Sequence, residues 1–106
     1  MPVLAPLRVP VEIRLGTPRW FRYALAVSEG GLAFARALPE ELDGAVDLTF
    51  FLPEDPLPIV VRGYPVLDDE SPRHEGRPEK RAIRFIALDE ASRARIAHYV
   101  EERVPA

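Results

Sequence analysis

Phe21-Arg22-Tyr23-Ala24-Leu25-Ala26-Val27-Ser28-Glu29-Gly30-Gly31-Leu32-Ala33-Phe34-Ala35 is the stretch on which the fold turns. Phe21, Tyr23, Leu25 and Val27 alternate with Arg22, Ala24 and Ala26. A period of two is the mark of a half-buried strand. Ser28-Glu29-Gly30-Gly31 then reads as a tight turn, because paired glycines adopt positive φ without steric cost. Leu32 to Ala35 continues as a short return strand. The two strands and their turn predict an antiparallel hairpin. On this alternation Phe21 faces the core, and Trp20 faces outward with Arg22, Ala24 and Ala26.

Upstream, Val9, Val11, Ile13 and Leu15 alternate with Pro10, Glu12 and Arg14, and Gly16-Thr17-Pro18 ends that strand. Downstream, Leu38 to Gly44 reads as a loop. Val46, Leu48, Phe50 and Leu52 alternate with Asp47, Thr49 and Phe51, which sends Phe51 outward. Pro53 to Pro58 is a turn, and Ile59 to Val66 is a strand rich in β-branched residues. Asp68 to Lys80 has almost no apolar content and reads as a mobile loop. Arg81 to Ala87 is a sixth strand. The period then changes. Asp89 suits a helix N-cap. From Ala91 to Arg103 there is neither glycine nor proline, and Ile96, Val100 and Val104 form one apolar stripe. The expected fold is mainly β: a six-stranded antiparallel barrel closed over by one C-terminal α-helix. Closure removes the strand edges a small sheet must otherwise hide. The expected division is a single domain over 1–106, with an arm over 1–8, the barrel over 9–88 and the helix over 89–104.

The 106 residues suit one domain, and 47 % of them are hydrophobic. The formal net charge of −3 disfavours general nucleic-acid binding, which needs a basic excess. There is no cysteine, so disulfides, thiolate nucleophiles and cysteine metal sites are excluded; this fits a reducing cytoplasm. No apolar run approaches the roughly 20 residues needed to cross a bilayer, so no membrane insertion is expected. Met1 to Leu7 lacks the basic start of a signal peptide. His98 and Glu102 are four apart on the expected helix, a spacing too common to indicate a metal. No nucleophile–base pair, phosphate loop or dinucleotide fingerprint is present. The reading is therefore of a non-enzymatic chain with no cofactor.

Arg8-Val9-Pro10-Val11, followed by Val27-Ser28-Glu29-Gly30-Gly31-Leu32, resembles the PilZ family, and Ala82-Ile83-Arg84-Phe85 resembles its final strand. The resemblance covers nearly the whole chain and implies a barrel of six strands with a C-terminal helix. It also implies a bacterial regulatory role built on cyclic di-GMP. The family carries that ligand on an RxxxR motif before the first strand and on [DN]xSxxG at the second turn. Arginine can fork onto guanine or stack on it while its charge offsets phosphate. Here Arg8, Ser28 and Gly31 match the two motifs, whereas Leu4 stands for the first arginine and Ala26 for the Asp or Asn. Each lost polar contact costs about 1–3 kcal/mol. The pair would weaken binding by about 30-fold to 10⁴-fold. The resemblance then implies weak or lost cyclic di-GMP binding and a protein partner in motility or envelope signalling. A receptor using a modified arginine set is the alternative. Arg8 is read either as a ligand group or as a solvated strand-start arginine, and Ser28 either as a ligand contact or as a turn residue. Trp20 and Phe51 are the candidate partner contacts, with Trp20 packed on the arm or the helix as its other reading.

Overall fold

In the computed structural model, residues 4–67, 73–74 and 77–103 are described. The chain forms β1 (Ala5–Arg14), β2 (Arg19–Ser28), β3 (Gly31–Phe34), β4 (Val46–Phe50), β5 (Ile59–Leu67), β6 (Arg73–His74), β7 (Arg77–Pro78), β8 (Lys80–Phe85) and α1 (Glu90–Arg103). Six of the strands close a barrel in the order β1-β2-β3-β8-β5-β4, every pair antiparallel. The expected fold class is the observed one. β1 begins at Ala5, so Arg8 lies within the first strand and not on an arm before it. Within the stretch read as the loop Asp68 to Lys80, β6 pairs with β7 in a small separate sheet. The rest of that stretch falls outside the described residues, apart from Glu79 and from Lys80 at the start of β8.

Alternation works as expected in β4 and, at Val11 and Ile13, in β1, where Val9 is half-buried, as is Leu15 just beyond the strand, and Ala5 and Leu7 extend the row into the expected arm. β5 alternates too. Ala5, Leu7, Val11 and Ile13 point inward from β1, Val46, Leu48 and Phe50 from β4, and Ile59 and Val61 from β5. Ile83 and Phe85 follow from β8, and the Phe85 ring stacks on Phe50 with centroids 6.3 Å apart. The loop between β3 and β4 adds Leu38 and Leu42 to the same core, held by a hydrogen bond from the Leu38 N–H to the Lys80 carbonyl (2.8 Å).

β2 departs from its expected faces. Val27 and Ala24 are both buried although three residues apart, so the strand changes parity between them. The ladder is irregular there against both neighbours, between Pro6 and Val9 of β1 and between Ala24 and Ala26 where β3 pairs. A bulge displaces the alternation by one residue and sends every side chain beyond it to the other face. Trp20 is therefore set opposite the inward Ile13 and packs half-buried against the core, while Phe21 is opposite Glu12 and Tyr23 opposite Pro10 on the outer face. Phe21 is 58 % exposed and Tyr23 64 %. The outward assignment of Trp20 and the inward assignment of Phe21, Tyr23 and Leu25 are both reversed. Phe51 is exposed, as expected.

The Asp89 carbonyl accepts the first helical N–H, from Arg93 (2.9 Å). α1 packs against β1 and β2 through Ile96 and Tyr99, which are buried, with Val100 half-buried beside them. The Tyr99 hydroxyl donates to the Pro6 carbonyl (2.7 Å). Val104, the last member of the expected stripe, lies outside the described residues. No helix among the described residues is long and apolar enough to cross a membrane.

Candidate functional site

The β2–β3 turn is built by its own residues. Ser28 is only 3 % exposed, and its Oγ accepts the Gly30 N–H (3.1 Å). The Gly30 carbonyl in turn accepts the Phe85 N–H (2.9 Å), which fastens the turn to β8. Gly31 pairs with Arg84 across the β3–β8 ladder. A Cβ on Gly31 would collide with the Ile83 carbonyl oxygen and lie 3.1 Å from the Arg84 Cα. Only glycine lets the two strands come this close.

Over this turn lies an open depression of about 200 Å³. Leu4, Ser28, Gly30, Gly31, Val66 and Arg84 are among its lining residues. Three of the motif positions thus come together: Ser28, Gly31 and Leu4, the last half exposed where the family motif has its first arginine. Arg8 points outward from β1 at its irregularity and does not line the depression; Ala26 does not line it either. The cation that does is Arg84, exposed between buried Ile83 and Phe85. Alternation alone could have marked Arg84 as outward. That it meets the turn depends on β3 pairing with β8, and strand order is not written in local periodicity.

A second opening, a groove of about 660 Å³, lies along the outer side of β2 between Phe21, Arg22 and Tyr23 and the segment Ala35–Ala37 that follows β3. Arg81 anchors that segment by donating to the Ala35 carbonyl (3.1 Å), and it pairs with Glu79 (3.2 Å). Sequence reading missed this groove because it turned Phe21 and Tyr23 inward.

A third, of about 250 Å³, separates the turn Pro53–Pro58 from α1. Arg95 crosses it with Nη2 2.7 Å and Nε 3.0 Å from Asp55 Oδ2, and it also donates to the Leu57 carbonyl. The Leu57 N–H donates to Asp55 Oδ1 (3.0 Å). That backbone bond and then the bond from Arg95 hold the Asp55 carboxyl below the usual aspartate range. Here the arrangement fastens a turn to a helix. His98 and Glu102 meet on the outer face of α1 (3.0 Å).

No protein-family model matches the chain, and none of the curated proteins compared with it does. Among solved structures it is similar to the Bacillus subtilis inhibitor of motility MotI/DgrA, with a TM-score of 0.70 at 17 % sequence identity. The match covers 97 % of this chain and 49 % of that one, so the chain spans about half the length of that protein. The shared fold is the closed six-stranded barrel with its helix, which fits a PilZ-like architecture.

Proposed function

We propose that this chain is a non-enzymatic bacterial regulatory domain, a PilZ-like adaptor in the cytoplasm that works by holding a protein partner and binds cyclic di-GMP weakly or not at all. One observation carries the reading. Leu4, where the family has an arginine, lines the depression over the β2–β3 turn and offers it an apolar side chain. Ser28 supports it too, because its hydroxyl already accepts the Gly30 N–H. The fold shared with an inhibitor of motility favours a partner in motility or envelope signalling.

A second reading has its own support. Arg84 lines the depression opposite Gly31, and among the described residues it is in no ion pair. It could serve cyclic di-GMP in place of the missing arginine, with Arg8 as an outer contact.

Isothermal titration with cyclic di-GMP separates the two. The adaptor reading expects a dissociation constant weaker than about 10 μM. Binding about tenfold tighter than that, abolished by Arg84→Ala, would establish the receptor instead. The double variant Leu4→Arg, Ala26→Asp should gain at least about tenfold in affinity. A double variant that binds no better than the parent means that the motif register over Leu4 and Ala26 is wrong.

A further inference from the structure

β2 is ten residues long and β3 only four. β1 pairs along the whole of β2, but β3 covers it only from Ala24 to Ser28. Beyond that point the Tyr23 carbonyl still accepts the Ala35 N–H (3.3 Å). Backbone groups of a strand point to the same side every second residue. Phe21 and Arg19 therefore direct their N–H and C=O groups to the side where β3 has ended. Among the described residues no strand pairs with them there. The Phe21 carbonyl instead accepts Nη1 of Arg22 (2.9 Å), a contact a partner N–H can replace. An unpaired edge of this kind is a template for an added strand.

The surroundings select the chemistry of that strand. Phe21 and Tyr23 stand exposed on one side of the groove and Arg36 on the other. Ion pairs among the described residues engage Arg19, Arg62, Arg81, Arg93, Arg95 and Arg103, and none engages Arg8, Arg14, Arg22 or Arg36. The first 37 residues hold five arginines against two glutamates, while the rest of the chain holds nine basic residues against fifteen acidic ones. Two of the unpaired cations, Arg22 and Arg36, line this groove, and aromatic and arginine side chains are the types that dominate interface energies. A nucleic acid is disfavoured, because a long polyanion would run from this face onto the acidic remainder.

We propose that Arg19–Tyr23 of β2 is the docking edge for an extended acidic segment of a protein partner, added as a strand beyond the end of β3, its carboxylates on Arg22 and Arg36 and an apolar side chain between Phe21 and Tyr23. This rests on the adaptor reading and names its surface. The test is amide NMR of the full chain titrated with a peptide of about seven residues alternating glutamate and valine, beside its lysine–valine counterpart and an oligothymidylate. Binding should shift and slow the exchange of the Arg19 and Phe21 amides. Arg36→Glu, on an exposed residue, should weaken the acidic peptide by about tenfold and favour the lysine peptide; Phe21→Ser should weaken both. Perturbation centred elsewhere, around Phe51 or Val60, overturns this edge and leaves the adaptor reading standing. So does indifference to Arg36→Glu. Preference for the oligothymidylate, or no binding of either peptide, overturns the proposal as well, while cyclic di-GMP affinity judges the adaptor reading on its own.

Discussion

At Gly31 the β3 backbone passes so close to β8 that a single added carbon would enter the space of the Ile83 carbonyl. Neither backbone can move without loosening the ladder that closes the barrel. Gly31→Ala should therefore cost about 1–3 kcal/mol through overpacking. In a domain of this size that lowers the melting temperature by roughly 4–8 °C per kcal/mol. Thermal unfolding followed by circular dichroism checks it, and a melt unchanged by the substitution would show that the two strands part freely. The same reasoning sorts the motif positions. Ser28 and Gly31, which match the family pattern, are ones the turn needs whatever it binds: Ser28 caps the Gly30 N–H and Gly31 admits β8. Leu4 and Ala26, which depart from it, have no such duty in the backbone. A match at the first pair therefore says little about a ligand.

Elements were legible wherever one period held from end to end. β4 keeps its alternation, and its inward residues are the ones periodicity selects. In β1 the selected Val11 and Ile13 are buried and Val9 and Leu15 half-buried, while Ala5 and Leu7, read as arm, extend the inward row. β2 does not keep its alternation, because its ladder is irregular against both neighbours near Leu25. No residue type announces that irregularity: Ala24-Leu25-Ala26 is as regular a strand sequence as any. Carrying the alternation back from Val27 across it exchanged Trp20 for Phe21, and the groove along β2 went unseen with it. The expected helix stripe did not include Tyr99, which buries its ring and spends its hydroxyl on Pro6. Long-range polar contacts are the hardest to foresee, and Asp55–Arg95, 40 residues apart, is one. Its carboxyl titrates lower in the folded chain than in the unfolded one, first because the Leu57 N–H bonds it and then because Arg95 does. Stability from this group is thus fully present above the ordinary aspartate value of about 4 and fades as the pH falls through the lower folded value. Asp55→Asn should be less stable than the parent at neutral pH, and the gap should close in acid. Urea midpoints taken from about pH 7 down to about pH 2 follow it. A gap that stays constant over that range would mean that the carboxylate charge contributes nothing.

The molecule as a whole is a cylinder whose two chain ends are tied together. β1 closes the barrel by pairing with both β2 and β4, and α1 then returns from the far end of the sequence to lie on β1 and β2. The Tyr99–Pro6 hydrogen bond joins residues 93 apart, beside Ile96, which is fully buried. Without α1 the barrel would keep every strand pair but lose Ile96 and Tyr99 from its core. Removing a buried aliphatic of this kind costs about 2–5 kcal/mol and a large aromatic about 3–5 kcal/mol. A domain of this size holds only about 5–15 kcal/mol in total. Deleting residues 90–106 should thus leave a chain with strand-type circular dichroism, no sharp melt and strong binding of a hydrophobic dye, the marks of lost packing over retained secondary structure. Tyr99→Phe separates packing from hydrogen bonding, because it keeps the ring and loses only the hydroxyl contact, for about 1 kcal/mol. The shortened chain is the sharper of the two tests. If it still unfolds in one cooperative step within a few degrees of the full chain, the helix is an ornament on a self-sufficient barrel and Ile96 belongs to a surface, not to the core.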